Sequence, residues 1–590
     1  MSDPGTPRAD FRAGAVRAGR YWLDYVRAHA DDPAALNRAR DNVLQAIQSC
    51  YEFAEAHRLV VELALALHDH MERQGAWDLW VDYLTLAIQA GEQLGDSKAT
   101  ARLLDRLGVT QRQLGHWDDA QAHFERAREI QAQVGDEAGL ATTLNNLGIL
   151  YWFRGDLDRS LASFEQARSI HEKLGDEAGL SRAYTNIGNV HWKRGAWDQA
   201  VECFHQTLEI DRRLDDQRGL ASNYNNLGII YRLKGEWDRA LAYYEKALAL
   251  EEGFGDRYGI ARAYSNIGVV LEKKGKWDQA FEYHERALTI RQAIGDEWGV
   301  ALSHLNIGIV HHLRGEWSQG QWHCEQVLDR AEQLEDPSTL ALTCNTLGLI
   351  HHERGEDTQA QQYLEQALTW CQKSGDPHDT AQVHLGLGNL ARDGGQWEQA
   401  LQHYDQAEEF AGSLGSAPHL AHLALQRAHL YARQADWSKA LPFGRQALSQ
   451  WERLGNRQMI LECLALLARV QLALEDRPAF TTLVDRATQL ARDLDRTDVA
   501  VRLHWLRADA ALAGNEAPQA AAEHVQALKL CESSANDRLR KLHGETQAWI
   551  NDVIARLAGT DHKIALQAFR DELGAVGART DTTQLGREEQ

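Results

Sequence analysis

The sequence predicts an all-α solenoid of about twelve helix-turn-helix units, closed by capping helices at both ends. Three observations predict it. A G-x-W-D-x-A block recurs with Trp at 117, 197, 237, 277, 317, 397 and 437, with small departures such as Ser318 and Gly320. An N-[LI]-G block places glycine at 148, 188, 228, 268 and 308, with Gly108, Gly348 and Gly388 in phase. A third block ends in Gly-Asp at 95–96, 135–136, 175–176, 255–256, 295–296 and 375–376. All three keep a spacing of 40 residues or its multiples, and a fixed period of that length marks stacked supersecondary units.

The elements follow in order. Residues 1–19 are polar, without the apolar core of a secretory signal, and are expected to be irregular. Residues 20–60 form capping helices: Tyr21-Trp22 opens one, Asp31-Asp32-Pro33 caps the next, and 34–55 is helix-compatible throughout. The solenoid occupies 61–535, regular over 97–456 and degenerate at either end. In the unit 137–176, Leu140, Leu144, Leu147 and Tyr151 recur at the helical period, and Gly155 stops this first helix. Asp156 or Asp158 caps the second, whose buried face is Leu161, Phe164, Ala167 and Ile170, and Gly175-Asp176 breaks it. Small residues such as Gly148 let paired helices approach closely. One such pair cannot bury its apolar face alone, so neighbours must stack. Residues 536–574 read as C-terminal capping helices over 538–559 and 564–573, and 575–590 as a disordered acidic tail. That tail region carries Asp571, Glu572, Asp581, Glu588 and Glu589, an acidic run able to occupy a basic groove.

Composition narrows the function classes. With 44% hydrophobic and 25% charged residues and nine prolines in 590, the chain is neither disordered nor collagen-like. No apolar run of about 18 residues offers a membrane span. Seven cysteines, an odd number without a C-x-x-C pair, point to reduced thiols in a cytoplasm. The net charge of −22 argues against direct nucleic-acid binding, which needs a clustered basic face. No phosphate loop, G-x-S-x-G or H-E-x-x-H motif occurs, so no catalytic residue, metal ligand or cofactor is assigned. His311-His312 and His351-His352 invite a metal reading. However, His311 and His351 take the packing position of Tyr151 and Tyr231, leaving only His312 and His352 for the open face, a poor zinc set. The tryptophans at 197, 237, 277 and 317 begin second helices and are read as scaffold wedges.

With these residues in view, the unit resembles a tetratricopeptide repeat. The resemblance rests on L-G-x-x-Y at 147–151, Ala at 200, 240 and 280, Ala at 167, 247 and 287, and Phe or Tyr at 164, 204, 244 and 283. It covers roughly residues 60 to 530. The unit is about six residues longer than the usual 34 and lacks the closing proline. The long form is similar to repeats of spindle-orientation adaptors, kinesin light chains and bacterial peptide-receptor regulators. The stretch before the regular units resembles the start of the repeat region in STAND-type signalling proteins. The resemblance implies a right-handed superhelix whose first helices line a concave groove.

On those first helices, positions two, five, six, nine, twelve and thirteen, counted from Ala141 in the unit above, avoid the packed stripe. Position six is Asn146, Asn186, Asn226, Asn266 and Asn306 in succession. Asparagine competes with the helix backbone for hydrogen bonds, so five at one phase require a cause. Their amides suit the N–H and C=O of an extended peptide, as the resemblance implies; the other use is to bridge adjacent helices. Arg182, Lys193, Arg232, Arg262 and Lys273 surround the ladder, and Trp152 and Trp192 stand at position twelve. Aromatic and Arg side chains beside apolar floor (Ile149, Ile229, Val269, Ile309) make binding hot spots. The lysine clamp of chaperone-binding repeats is missing, since Asn145, Thr185, Asn225 and Ser265 hold its position. The expected function is a non-enzymatic scaffold holding a protein or peptide partner with some acidic residues between about Thr142 and Glu353. It would serve as sensor or regulatory subunit of a bacterial signalling or defence assembly. Alternatives are a receptor for a small signalling peptide or ligand, or a regulatory subunit of a separate enzyme such as a protease. Self-association through the capping helices stays open.

Overall fold

The computed structural model describes residues 6–333, 336–413, 416–514, 516–532, 537–558 and 567. Among them are 27 α-helices, one short 3-10 helix (Ala54–Ala56) and no strand. The chain forms two compact units, Met1–Asn223 and Tyr224–Gln590, whose boundary falls inside the helix Gln217–Leu233. Within each unit, the helices that lie wholly inside it pack each on the next, and the first helix of a repeat also packs on first helices of its neighbours. First helices (A) therefore line the inner side and second helices (B) the outer, as an α-solenoid of stacked pairs requires.

The repeat is written into its ends. The A helix Glu137–Phe153 is capped by Asp136, whose carboxylate accepts from the Gly139 amide. Gly155, at φ 76°, takes the left-handed turn that stops the helix. Asp156 then caps the B helix Leu157–Leu174, accepting from Arg159 N. Between the two helices the decisive contact is a ring against a glycine. A Cβ at Gly148 would stand 2.6 Å from the Phe164 ring, and one at Gly228 would stand 2.5 Å from Tyr244. Phe124, Phe164, Phe204, Tyr244 and Tyr404 are all buried at this position. In the unit that includes 268, the ring is His284, where the sequence had pointed to its neighbour Tyr283.

His284 carries an expected result. It is fully buried, neither ring nitrogen has a hydrogen-bond partner, and desolvation lowers its pKa to about 4. Phe fills the same space at 124, 164 and 204. His284→Phe is expected to stabilise by about 1–3 kcal/mol at pH 7 by removing unpartnered buried polar atoms. A histidine whose folded pKa lies below its unfolded value gives stability that is complete above about pH 6.5 and lost as pH falls toward 4. The advantage of the variant should therefore widen by about 2 kcal/mol at pH 5. Urea unfolding at the two pH values tests this; an advantage that does not grow with acid contradicts it.

The ends depart from the expectation in one respect. Residues 6–19 are the first part of the helix Thr6–Ala28 rather than irregular chain. Asp32 caps Pro33–Tyr51 as expected, but that helix stops at Tyr51 and the 3-10 turn precedes His57–Arg73. Trp80, Leu84, Val43, Ile47, Leu63 and Leu67 fill the core here. The closing helix Asp537–Ala558 is present, whereas the expected second capping helix, apart from residue 567, and the acidic tail lie outside the described residues.

In Tyr224–Gln590 the later repeats come back against the earlier ones. Asn456 donates to the Lys273 carbonyl at 2.7 Å and Gln458 to the Gly275 carbonyl at 3.3 Å, each 183 residues away. Arg496 lies 5.0 Å from the centre of the Trp277 ring. Asp537 accepts from the Ser318 amide at 2.9 Å, and Arg538 donates to Glu353 at 2.6 Å. Of the B-helix tryptophans read as wedges, Trp237 and Trp317 are 5% and 4% exposed, and Trp197 and Trp277 are half-buried.

Candidate partner-binding face

The A helices present the expected residues on two ladders, each linking positions 41 residues apart. In the first, position six meets position five of the preceding repeat. Asn146 Nδ2 donates to both Asp105 oxygens at 3.0 Å, Asn186 Nδ2 to Asn145 Oδ1 at 2.8 Å, and Asn266 Nδ2 to Asn225 Oδ1 at 2.7 Å. Three of the five asparagines thus bridge neighbouring helices. At Asn186 and Asn266 the single bond uses one amide N–H, which leaves the second donor and the acceptor oxygen outside the ladder. Asn226 is half-buried and Asn306 buried, and neither side chain makes a hydrogen bond among the described residues. Asp105 closes the first rung. Its desolvation raises the pKa, against the opposing pull of Asn146 and Thr143.

The second ladder joins position twelve to position thirteen of the next repeat. Lys193 Nζ sits 4.5 Å from the centre of the Trp152 ring, His312 Nε2 lies 3.2 Å from Glu353, and His352 Nε2 lies 3.1 Å from Asp393. Trp152 is therefore half-covered by Lys193 instead of open to solvent, and its indole N–H is buried without an acceptor. Trp192 stays 37% exposed. The same register places two cations on each of two rungs, Arg232 with Lys273 and Arg392 with Arg433, and on the second of these Asp393 pairs with both arginines. Lys273 is paired with its neighbour Glu272 at 2.9 Å and Arg262 with Glu251 at 3.3 Å. Among the described residues, no carboxylate forms an ion pair with Arg182 or Arg232. Within Met1–Asn223 the face therefore offers Arg182, Trp192 and the partly used amides. Within Tyr224–Gln590 it offers Arg232 and Asn226.

The histidine pairs resolve as their repeat positions predict. His311 is buried against Glu316 at 2.6 Å and His351 against Glu356 at 2.5 Å, while His312 and His352 reach the inner face and are taken up by carboxylates. Desolvation opposes ionisation of Glu353, but Arg538 and His312 hold its carboxyl well below the usual range; Arg392 and His352 do the same for Asp393. Among the described residues one group, His68, Asp69 and Glu72, approaches metal-ligand spacing. The Trp80 indole N–H donates to His68 Nδ1 at 3.0 Å, which leaves the ring proton on Nε2, the atom facing Glu72 at 3.5 Å. A cation would need that nitrogen bare, so the geometry does not fit a metal.

Family models match along this face. The tetratricopeptide repeat model matches residues 100–173, 179–252 and 259–333, and the MalT-like tetratricopeptide region matches 308–567. The chain belongs to the tetratricopeptide-repeat proteins. No curated protein matches it. Among solved structures, BtubC (BKLC) from P. vanneervenii is 22% identical over 37% of this chain and 92% of that one, with a TM-score of 0.35. A Rap protein complexed with competence and sporulation factor is 15% identical over 60% and 99%, at 0.46. A STAND protein with a tetratricopeptide repeat sensor from Pyrococcus horikoshii is 15% identical over 57% and 53%, at 0.42. The tetratricopeptide-repeat architecture is that of a protein-interaction scaffold. Among the described residues, no helix is long and apolar enough to cross a membrane.

Two groups of this repeat protein escaped the reading of the sequence. Asn456 and Arg496 stand where earlier A helices carry a capping aspartate, and both reach across to repeats far upstream. The interruption of the Gly-Asp block after 376 was their signal.

Proposed function

We propose that this tetratricopeptide-repeat protein is a non-enzymatic scaffold whose A-helix face holds an extended segment of a partner bearing acidic residues. Its role is that of a sensor or regulatory subunit in a signalling assembly. The reading is carried by the second ladder. The rungs of Trp152 with Lys193, His312 with Glu353 and His352 with Asp393 pair complementary groups, whereas Arg232 with Lys273 and Arg392 with Arg433 set cation beside cation in the register. Asp393 serves both arginines of the second and Glu272 serves Lys273, so Arg232 is the cation of these rungs left for an acidic side chain. Arg182 and the exposed Trp192 offer the same chemistry within Met1–Asn223, and the spare donors and acceptors of the asparagine ladder face a partner's main chain. Affinity capture from the native host with wild type and the variants Arg182→Ala/Trp192→Ala and Arg232→Ala tests it. Loss of one hot-spot group should weaken binding by about 30-fold, so a captured protein should be lost from the folded variants. Capture of the same protein at equal yield by all baits would place the partner elsewhere on the solenoid.

A further inference from the structure

Within Tyr224–Gln590 the contacts between distant repeats follow one plan. The turn joining an A helix to its B helix ends in backbone carbonyls, and the start of an A helix far downstream supplies donors to them. At the first turn, Lys273 O and Gly275 O receive Asn456 and Gln458, and Gln458 Oε1 in turn accepts from Arg496 at 2.6 Å. At the next, Gly315 O receives the Arg538 amide, and Leu313 O receives its guanidinium at 3.2 Å. Each turn is followed by a tryptophan under an arginine, Trp277 under Arg496 and Trp317 under Arg538. A third turn, at Gly235, lies against Leu454 and Pro418. At the turns of Gly75, Gly115 and Gly155 nothing lies within 4 Å of where a Cβ would stand.

The sequence separates docked from undocked edges. The A helices that begin after 96, 136, 176, 256, 296, 336 and 376 all carry aspartate at the cap, accepting from backbone amides. At the docked edge the cap residues are Ser416, Asn456 and Arg496. Asn456 shows why. Its Oδ1 still caps the helix, accepting from Met459 N at 2.9 Å, while its Nδ2 donates to Lys273 O. An aspartate keeps the first bond but sets an oxygen against a carbonyl at the negative end of the helix Arg257–Lys273. Undocked edges are thus coded to refuse such a turn and the docked edge to accept it.

We propose that these replaced caps form a latch that holds the downstream repeats of Tyr224–Gln590 on the upstream ones and gates its inner face. The latch takes the Lys273 backbone and the Glu353 carboxylate, groups of the inner register itself. Its release is therefore what frees that face for a partner. This consequence rests on the scaffold reading above, while the latch does not.

The isosteric variant Asn456→Asp tests it, because it preserves the helix cap and removes a single donor. Hydrogen exchange of residues 271–279 and 455–460 should accelerate about tenfold, and the radius of gyration from solution scattering should rise, with unchanged far-ultraviolet circular dichroism. Asp256→Asn, the reverse exchange at an undocked cap, should change none of these. Arg538→Gln, at the other turn, should accelerate exchange over 311–319 by the same factor, which keeps the test decisive if Asn456→Asp fails to fold. Exchange at wild-type rates in the folded variants overturns the latch. These measurements need no partner, so failure of the scaffold reading leaves their outcome intact.

Discussion

Gly148→Val is expected to lower the stability of Met1–Asn223 by more than about 3 kcal/mol, although valine is a better helix former than glycine. The sign is decided by packing. A Cβ at 148 would stand 2.6 Å from Cε1 of Phe164, and that ring is 2% exposed with no free space to move into. Even Gly148→Ala, which gains about 1 kcal/mol of helix propensity, is outweighed by an overpacking cost of about 1–3 kcal/mol. Gly253→Ala supplies the contrast, since nothing lies within 4 Å of the added methyl there, and the same exchange should stabilise by about 1 kcal/mol. A double-mutant cycle with Phe164→Leu isolates the contact: Gly148→Ala should cost clearly less once the ring at 164 has been replaced by the smaller side chain. Equal cost in both backgrounds would remove the ring-on-glycine contact as the reason for the fixed spacing of the repeat units.

That contact also shows why the fold was legible. Glycine, aromatic and capping aspartate recur at fixed offsets because each unit solves one packing problem in one way, and period alone reveals the solution. The inner face is less legible. Asn186 was recognisable as one of a series, but whether its amide bridges to Asn145 or waits for a ligand depends on a neighbour 41 residues away. Trp152 looked open because a helix considered alone gives no sign of Lys193 lying over it. His284 was overlooked for Tyr283 because aromatic character, rather than register, was followed. The contacts of Asn456 and Arg496 reach repeats far upstream, across a distance fixed by how repeats stack and not by any one of them. What sequence could show there was the missing aspartate, and chemistry then says what replaces it.

The largest loss outside the repeat core is expected for Arg496→Met. Arg496 is 7% exposed and binds Asp498 through two bonds, Nε to Oδ1 at 2.6 Å and Nη2 to Oδ2 at 2.7 Å, with Glu462 at 2.9 Å. Desolvation opposes the charge on Asp498, but these bonds and the nearby Arg502 and Arg538 hold its carboxyl well below the usual range. Removing the guanidinium leaves a buried carboxylate short of its main partner, a change that costs about 3–5 kcal/mol. The pH dependence fixes the cause. In the wild type a lowered carboxylate pKa contributes stability above about pH 4 and loses it as pH falls further. In Arg496→Met the deprived carboxylate should titrate above its unfolded value, so the deficit should shrink as pH falls through that raised pKa. Asp498→Asn should likewise restore most of the loss in the Arg496→Met background at pH 7, because a neutral amide leaves no charge to compensate. Urea unfolding of the single and double variants between pH 5 and 8 reads all three effects; a deficit independent of both pH and residue 498 would mean that Arg496 acts through its packing on Trp277 and not through its charge.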